Sequence, residues 1–176
     1  MTRATIVLSM GTNLQLTPNT LEQVRAMVEA MSPIDKLELS PDWLAKLGAA
    51  TEADPWMHGF SVILLETGAA VGTAGFKGPP NADGVVEIAY GIDAEHRGKG
   101  YAAEAAQAIT VYAFNSGLVR TVRAHTKPES DASKRVLTKC GFRYIGEVID
   151  PEDGPVWRWE KQMDTEEGNS PPLYRR

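Results

Sequence analysis

The sequence predicts a mixed α/β fold: one mostly antiparallel sheet flanked by helices, with a single parallel strand pair. Three observations point there. Short β-rich runs alternate with stretches of helical periodicity along the chain. Turn signals such as Thr67-Gly68 and the segment 150–154 bring consecutive strands close enough for hairpins, hence antiparallel neighbours. Between residues 85 and 126 a strand, a helix and a strand follow one another, and that unit makes a parallel pair.

Each element has a local reason. Residues 4–17 hold two apolar stretches, 5–8 and 14–16, at least one of them a strand. Asn19 with Glu22 three residues on has the spacing of a capping box. Leu21, Val24, Val28 and Met31 then share a helical face, and Pro33 closes that helix. After Pro41 a second helical piece fits residues 42–49, with Trp43, Leu44 and Leu47 apolar; residues 50–57 read as loop. Strands follow at 59–66, 70–77 and 85–92, the last apolar almost throughout except for Glu87. A Gly-rich turn over 95–100 leads into a helix from Tyr101 to about Phe114. Its apolar face is Ala102, Ala105, Ala106, Ile109, Tyr112 and Ala113, and Gly117 closes it. A strand at 119–126, a short helix at 130–139 stopped by Gly141, and strands at 142–149 and 156–161 complete the order. Residues 165–176 are polar, contain Gly-Asn-Ser-Pro-Pro and read as a flexible tail, which leaves one expected domain over 1–164.

Composition narrows the function. The chain has 176 residues, 43% apolar and 23% charged, the usage of one ordinary globular domain. Its sole cysteine, Cys140, excludes a disulfide framework and any multi-cysteine zinc or iron–sulfur centre. His58, His96 and His125 are scattered, so no metal is expected. No apolar run approaches 18 residues and the N-terminus lacks an apolar signal core. A cytoplasmic protein with no membrane partner is the expectation. A net charge of -5 argues against nucleic acid as the main partner.

The informative segment runs from Glu87 to Ala102: a strand enters a turn, and the turn opens a helix. Free N–H groups at a helix start attract anions, and the helix dipole adds to this. Gly98 and Gly100 would let a pyrophosphate approach the backbone, and Arg97 and Lys99 add positive charge. The bland reading is an ordinary capping turn. A mononucleotide P-loop fails, because Asp93 stands at its first glycine and Gly100 at its hydroxyl residue. The dinucleotide fingerprint does match Gly98, Gly100 and Ala103. Yet the next strand ends Ala124-His125-Thr126, without the acidic ribose-binding residue, and repeated βαβ units are missing.

The segment closely resembles motif A of the GCN5-related N-acetyltransferase (GNAT) superfamily, Gln/Arg-x-x-Gly-x-Gly/Ala, with Gly98 and Gly100 in the small positions and Glu95 departing from the usual Gln or Arg. A second signature, Ser130 to Phe142, is similar to the family's Asn-x-x-Ser-x-x-Val-Leu-x-Lys-x-Gly-Phe segment, above all in its ribosomal-protein N-terminal acetyltransferase-like branch. Tyr90-Gly91 and residues 98–105 also look like that branch, and the order of elements matches over roughly residues 12–163.

The resemblance implies a GNAT fold whose parallel pair splays apart to admit acetyl-CoA, and acetyl transfer to a primary amine. It implies that Tyr90, Gly91 and Ile92 offer backbone to the pantetheine arm. Arg97, Gly98, Lys99, Gly100, Tyr101 and Ala102 would cradle the pyrophosphate. A strand N–H near Ala89 or Tyr90 would serve the thioester oxygen. Glu87 holds the place of a catalytic glutamate, its plain alternative being a salt-bridged residue. The family's usual tyrosine acid is replaced by Leu137. Ser133 stands where the branch has a serine near sulfur, and it reads equally as helix capping; Ser130 replaces a coenzyme-binding Asn and reads as an N-cap. Tyr144 is a weaker candidate, Cys140 a small core residue, and His125 a residue that could touch substrate. The acceptor is a protein or peptide α-amine, or a small molecule such as an antibiotic or polyamine. A coenzyme-binding module with weak catalysis is the reading from another class. The sequence leaves a homodimer open.

Overall fold

The computed structural model describes residues 13–164. The apolar stretch at 5–8 and the tail expected over 165–176 lie outside the described residues. Strand β1 (Leu14–Pro18) leads into helices α1 (Leu21–Ala30), α2 (Pro33–Leu37), α3 (Pro41–Ala49) and α4 (Pro55–His58). Strands β2 (Phe60–Leu64), β3 (Ala70–Phe76) and β4 (Val85–Ile92) follow, then a 3₁₀ turn at Ala94–His96 and helix α5 (Tyr101–Asn115). The chain continues through β5 (Thr121–Thr126), α6 (Asp131–Lys139), β6 (Arg143–Asp150) and β7 (Gly154–Gln162).

The seven strands form one sheet in the order β1-β2-β3-β4-β5-β7-β6. Every neighbouring pair is antiparallel except β4 and β5, as the strand–helix–strand unit requires. Helix α5 packs on the sheet through small residues: Ala105, Ala106, Ile109 and Ala113 are fully buried. Alanines let the helix axis approach the strands, while Phe60, Val62, Val71 and Val122 fill the sheet side of the same core. Trp56, Phe60, Phe76 and Tyr112 stack as a second aromatic layer, with ring centroids 4.5–5.9 Å apart.

Three local expectations need correction. The capping box of α1 is Thr20 with Gln23, one residue beyond Asn19 and Glu22. Asn19 is buried and otherwise engaged: its Nδ2 donates to the His58 carbonyl (3.1 Å), and its Oδ1 accepts from the Ser61 hydroxyl (2.6 Å). Pro33 does not merely follow α1 but opens α2, with Ser32 as its cap; proline suits a first helical position, where no N–H is needed. The expected loop over 50–57 contains the start of α4, capped by the Asp54 carboxylate.

One close approach shapes the end of β4. A Cβ on Gly72 of β3 would lie 2.2 Å from the Gly91 carbonyl oxygen and 3.0 Å from Ile92 Cδ1. Only glycine fits without moving backbone. Gly91 itself has nothing within 4 Å of a built Cβ. Gly72→Ala should therefore lose about 1–3 kcal/mol of stability by urea unfolding, as overpacking typically does. Gly91→Ala should stay within about 0.5 kcal/mol of the parent.

Candidate active site

The site begins where the sheet comes apart. Lys77 N–H donates to the Glu87 carbonyl and Asp93 N–H to the Val71 carbonyl, both at 2.9 Å. Odd-numbered residues of β4 therefore turn their backbone polar groups to β3, and even-numbered residues turn theirs toward β5. The β4–β5 register runs only through Val85↔Thr121, Val86↔Val122 and Glu87↔Arg123. Beyond it β4 stays with β3 to Ile92, and β5 stays with β7 to Thr126. The Ile92 carbonyl accepts from Arg97 Nε (3.0 Å). The N–H and C=O of Tyr90 face the gap without a strand partner, whereas Ala89 pairs with Gly75 of β3. Of the two donors considered, Tyr90 is the available one.

A cavity of about 590 Å³ runs from the end of β4 to the start of α5 and to α6. Tyr90, Gly91 and Ile92 wall it on the β4 side. Arg97, Gly98, Gly100, Tyr101 and Ala102 wall it at the turn, and Ser130 and Ser133 on α6. Lys99, expected among them, does not line it. Gly98 (φ 77°) and Gly100 (φ 83°) adopt the left-handed conformation that a side chain disfavours. The N–H groups of Tyr101, Ala102 and Ala103 find no backbone acceptor among the described residues, so the helix start presents free donors. Residues overlooked in the sequence are Arg135 and Lys139, one turn apart on α6, and His96, whose Nδ1 is buried without a partner. The spacing of the two cations on a predicted helix was the readable signal. Free donors, room above two glycines and three flanking cations suit a phosphorylated coenzyme.

A smaller cavity of about 260 Å³ is lined by the diverging ends of β4 and β5 and shares Tyr90 and Ser133 with the first. Glu87 lines it and is not alone. Its Oε1 accepts from His125 Nδ1 at 2.8 Å and lies 3.2 Å from Lys77 Nζ, which is also 3.8 Å from Asp153 Oδ2. Arg158 Nε donates to His125 Nε2 at 3.1 Å. An arginine has only protons to give, so His125 Nε2 must be the acceptor and Nδ1 must carry the ring proton. The imidazole, 8% exposed, is thus fixed in one tautomer that points a donor at Glu87. Burial alone would lower the Lys77 ammonium; the Glu87 carboxylate, with Asp153 and Asp150 beyond, outweighs it and raises its pKa above 10.5. Lys77, Lys127, Asp153 and Arg158 had no signal in the sequence.

Helix α6 corrects two expectations. Ser130 stands at the N-cap position, but its hydroxyl makes no capping bond; it donates to Ser133 Oγ at 3.0 Å. Ser133 in turn keeps its own proton free and does not cap. Leu137, in the place of the family's tyrosine, is fully buried, and Tyr144 packs on Trp157 and Trp159. Cys140 is a core residue whose Sγ donates to the Ala103 carbonyl at 3.3 Å. Burial pushes the Tyr90 phenol well above its usual value, with Cys140 adding to the effect.

The tautomer is measurable. Two-bond ¹⁵N–¹H correlation spectra should place the His125 proton on Nδ1. Arg158→Met should weaken that preference, Glu87 still accepting from Nδ1, and equal populations in the parent protein would contradict the hydrogen-bond chain.

Among the described residues no group of His, Cys, Asp and Glu could hold a metal, and no helix is long and apolar enough to cross a membrane. Two curated relatives resemble the chain in sequence. N-acetyltransferase p20 of Bacillus licheniformis is 36% identical over 93 residues, covering 53% of this chain and 52% of the relative. YjdG of Bacillus subtilis, also named an N-acetyltransferase, is 30% identical over 99 residues, covering 56% of each. The match thus spans about half the length of these relatives. Two solved structures share the fold. The ribosomal-protein α-N-acetyltransferase RimL in complex with coenzyme A superposes with a TM-score of 0.66 at 16% identity, over 90% of this chain and 98% of that one. The aminoglycoside acetyltransferase AAC(6')-Ib in complex with coenzyme A gives 0.60 at 20%, over 85% and 94%. The family model described as an acetyltransferase (GNAT) domain matches residues 12–143, and the chain therefore belongs to the GNAT acetyltransferase family.

Proposed function

We propose that the protein is an acetyl-CoA-dependent N-acetyltransferase whose larger cavity takes the coenzyme and whose smaller cavity takes a primary amine. The observation that carries this reading is that the two cavities meet at Tyr90 and Ser133 and nowhere else along their linings. Two substrates, one in each cavity, would be brought together there. The open N–H groups at the start of α5, with Arg97, Arg135 and Lys139, would hold the phosphates, and Tyr90 would lend its unpaired backbone to the pantetheine amides. RimL and AAC(6')-Ib, both solved with coenzyme A, have this fold.

When bound, acetyl-CoA supplies an acyl thioester: the carbonyl carbon gains a bond to nitrogen as it loses its bond to sulfur, and one proton passes overall from the amine to the thiolate. The chain's part is to handle that proton and the carbonyl oxygen. Glu87, a carboxylate of the smaller cavity's wall, is bonded to His125 and takes the amine proton directly or through water. The Tyr90 N–H is a fixed donor for an oxygen in the gap. Ser133 offers a free hydroxyl proton beside the junction, where Leu137 cannot. The acceptor is an amine of either a peptide terminus or a small molecule, as the substrates named for RimL and AAC(6')-Ib illustrate.

Two substitutions test the two halves. Gly98→Val and Gly100→Val should each raise the Kd for acetyl-CoA in calorimetry while the fold is retained, and unchanged affinity in both would remove the cradle. Glu87→Gln keeps an acceptor for His125 Nδ1–H but removes basicity. It should cut kcat by about 10²- to 10⁴-fold at neutral pH, with partial recovery in alkaline buffer as free amine accumulates. Full kcat at every pH would make Glu87 a structural residue and favour acceptors that bind already neutral.

A further inference from the structure

The charges around the smaller cavity are not equally available to an acceptor. Lys77 sits between Glu87 (3.2 Å) and Asp153 (3.8 Å), so its ammonium and both carboxylates already have partners inside the protein. His125 lies between Glu87 and Arg158 and has neither ring nitrogen free. Lys134, nearby on α6, is likewise engaged: it donates to the Pro128 carbonyl, lies 3.5 Å from Asp131 and covers the Trp157 ring at 3.8 Å. Lys127 differs. It lines the cavity, its residue is exposed, and its ammonium has no hydrogen-bond or ion-pair partner among the described residues. The two cations and two carboxylates of the lining balance, and Lys127 is the one of the four without a partner among the described residues.

Size adds a second constraint. At about 260 Å³ the cavity falls below the range of roughly 300–1,000 Å³ in which drug-sized ligands are enclosed. It takes one end of an acceptor, and the remainder of that acceptor passes Lys127 on its way out.

Resting on the transferase reading above, we infer that the acceptor is an amine carrying its own carboxylate, and that Lys127 recognises that carboxylate. An acidic peptide N-terminus and a free acidic amino acid share this chemistry. A polycation such as an aminoglycoside or polyamine would bring further positive charge against an unpaired lysine, and juxtaposed like charges reject a partner. Lys127 is therefore a specificity residue and takes no part in moving the proton.

The test uses the full chain with acetyl-CoA and five acceptors: the amide-capped peptides Ala-Glu-Ala, Ala-Gln-Ala and Ala-Lys-Ala, free glutamate, and kanamycin. The acidic peptide should exceed the basic one in kcat/KM by about tenfold, mostly through KM, as for a partly exposed charge. Lys127→Glu should reverse the order, and Lys127→Arg should keep it. Comparison of the acidic peptide with free glutamate separates the two sources. A parallel calorimetric series measures Kd for the same acceptors on protein saturated with coenzyme A, where no turnover is needed. If nothing is acetylated, the transferase reading falls, and the Kd ratios still decide the anion preference. An acidic-to-basic ratio that Lys127→Glu does not change, a parent preference for kanamycin or the basic peptide, or no binding of any acidic acceptor would overturn the inference.

Discussion

The site depends on an interrupted hydrogen-bond ladder. A parallel strand pair inside a sheet would ordinarily satisfy every main-chain donor and acceptor between its members, and leaving such groups unmet is costly. Here β4 and β5 pair at three positions and then each follows a different neighbour. The interruption opens both cavities, frees the backbone of Tyr90 and leaves room for the turn ahead of α5. The separation is held from β3 as well as from the helix, since Gly72 lies so close to the Gly91 carbonyl that any side chain there would displace the end of β4. On the proposed reading, a ligand rich in amides would restore what the ladder lacks, and the defect that weakens the sheet would specify what the sheet binds.

Around the smaller cavity, alternating signs keep a dense charge cluster tolerable. Arg158, His125, Glu87, Lys77 and Asp153 form a sequence in which each group touches a partner of opposite or complementary character. Removing a middle member would strand a partly buried charge, which costs more than the pair contributes when intact. The arrangement also assigns duties. With Nε2 occupied by Arg158, His125 has no lone pair to spare for a substrate proton, and its contribution is to hold the carboxylate in place.

The architecture was legible in the sequence because each main element is set by its own period and stop signals. All seven described strands, α5 with its alanine face and the glycine turn follow from neighbours within a few residues. So does much of the larger cavity's wall, at Tyr90–Ile92, Arg97, Gly98 and Gly100 to Ala102, which sits on one contiguous segment. What escaped was assembled by register. His125 meets Arg158 because they are opposed across β5 and β7, and Lys77 reaches Glu87 because β3 runs beside β4; no spacing in the sequence encodes either meeting. The misplaced cap has the same origin. Asn19 is as good a capping residue as Thr20, but the strand pairing draws its side chain to His58 and Ser61, and the next residue caps instead. Ser130 shows the converse: the cap position was right, yet the hydroxyl serves Ser133.

The placement of Cys140 bears on chemistry outside the transfer itself. Under the proposed reaction every turnover would liberate a free thiol in a chain whose only cysteine, Cys140, follows Lys139 of the larger cavity's wall. Thiol–disulfide exchange needs a thiolate and an exposed sulfur. Cys140 offers neither: its Sγ is buried, bonded to the Ala103 carbonyl, and burial raises its pKa despite Lys161 and Lys139 nearby. The fold thus keeps its single thiol out of reach of the thiol that the proposed reaction would release, and oxidised coenzyme should leave the protein unmodified where an exposed cysteine in a cavity wall would be captured as a mixed disulfide.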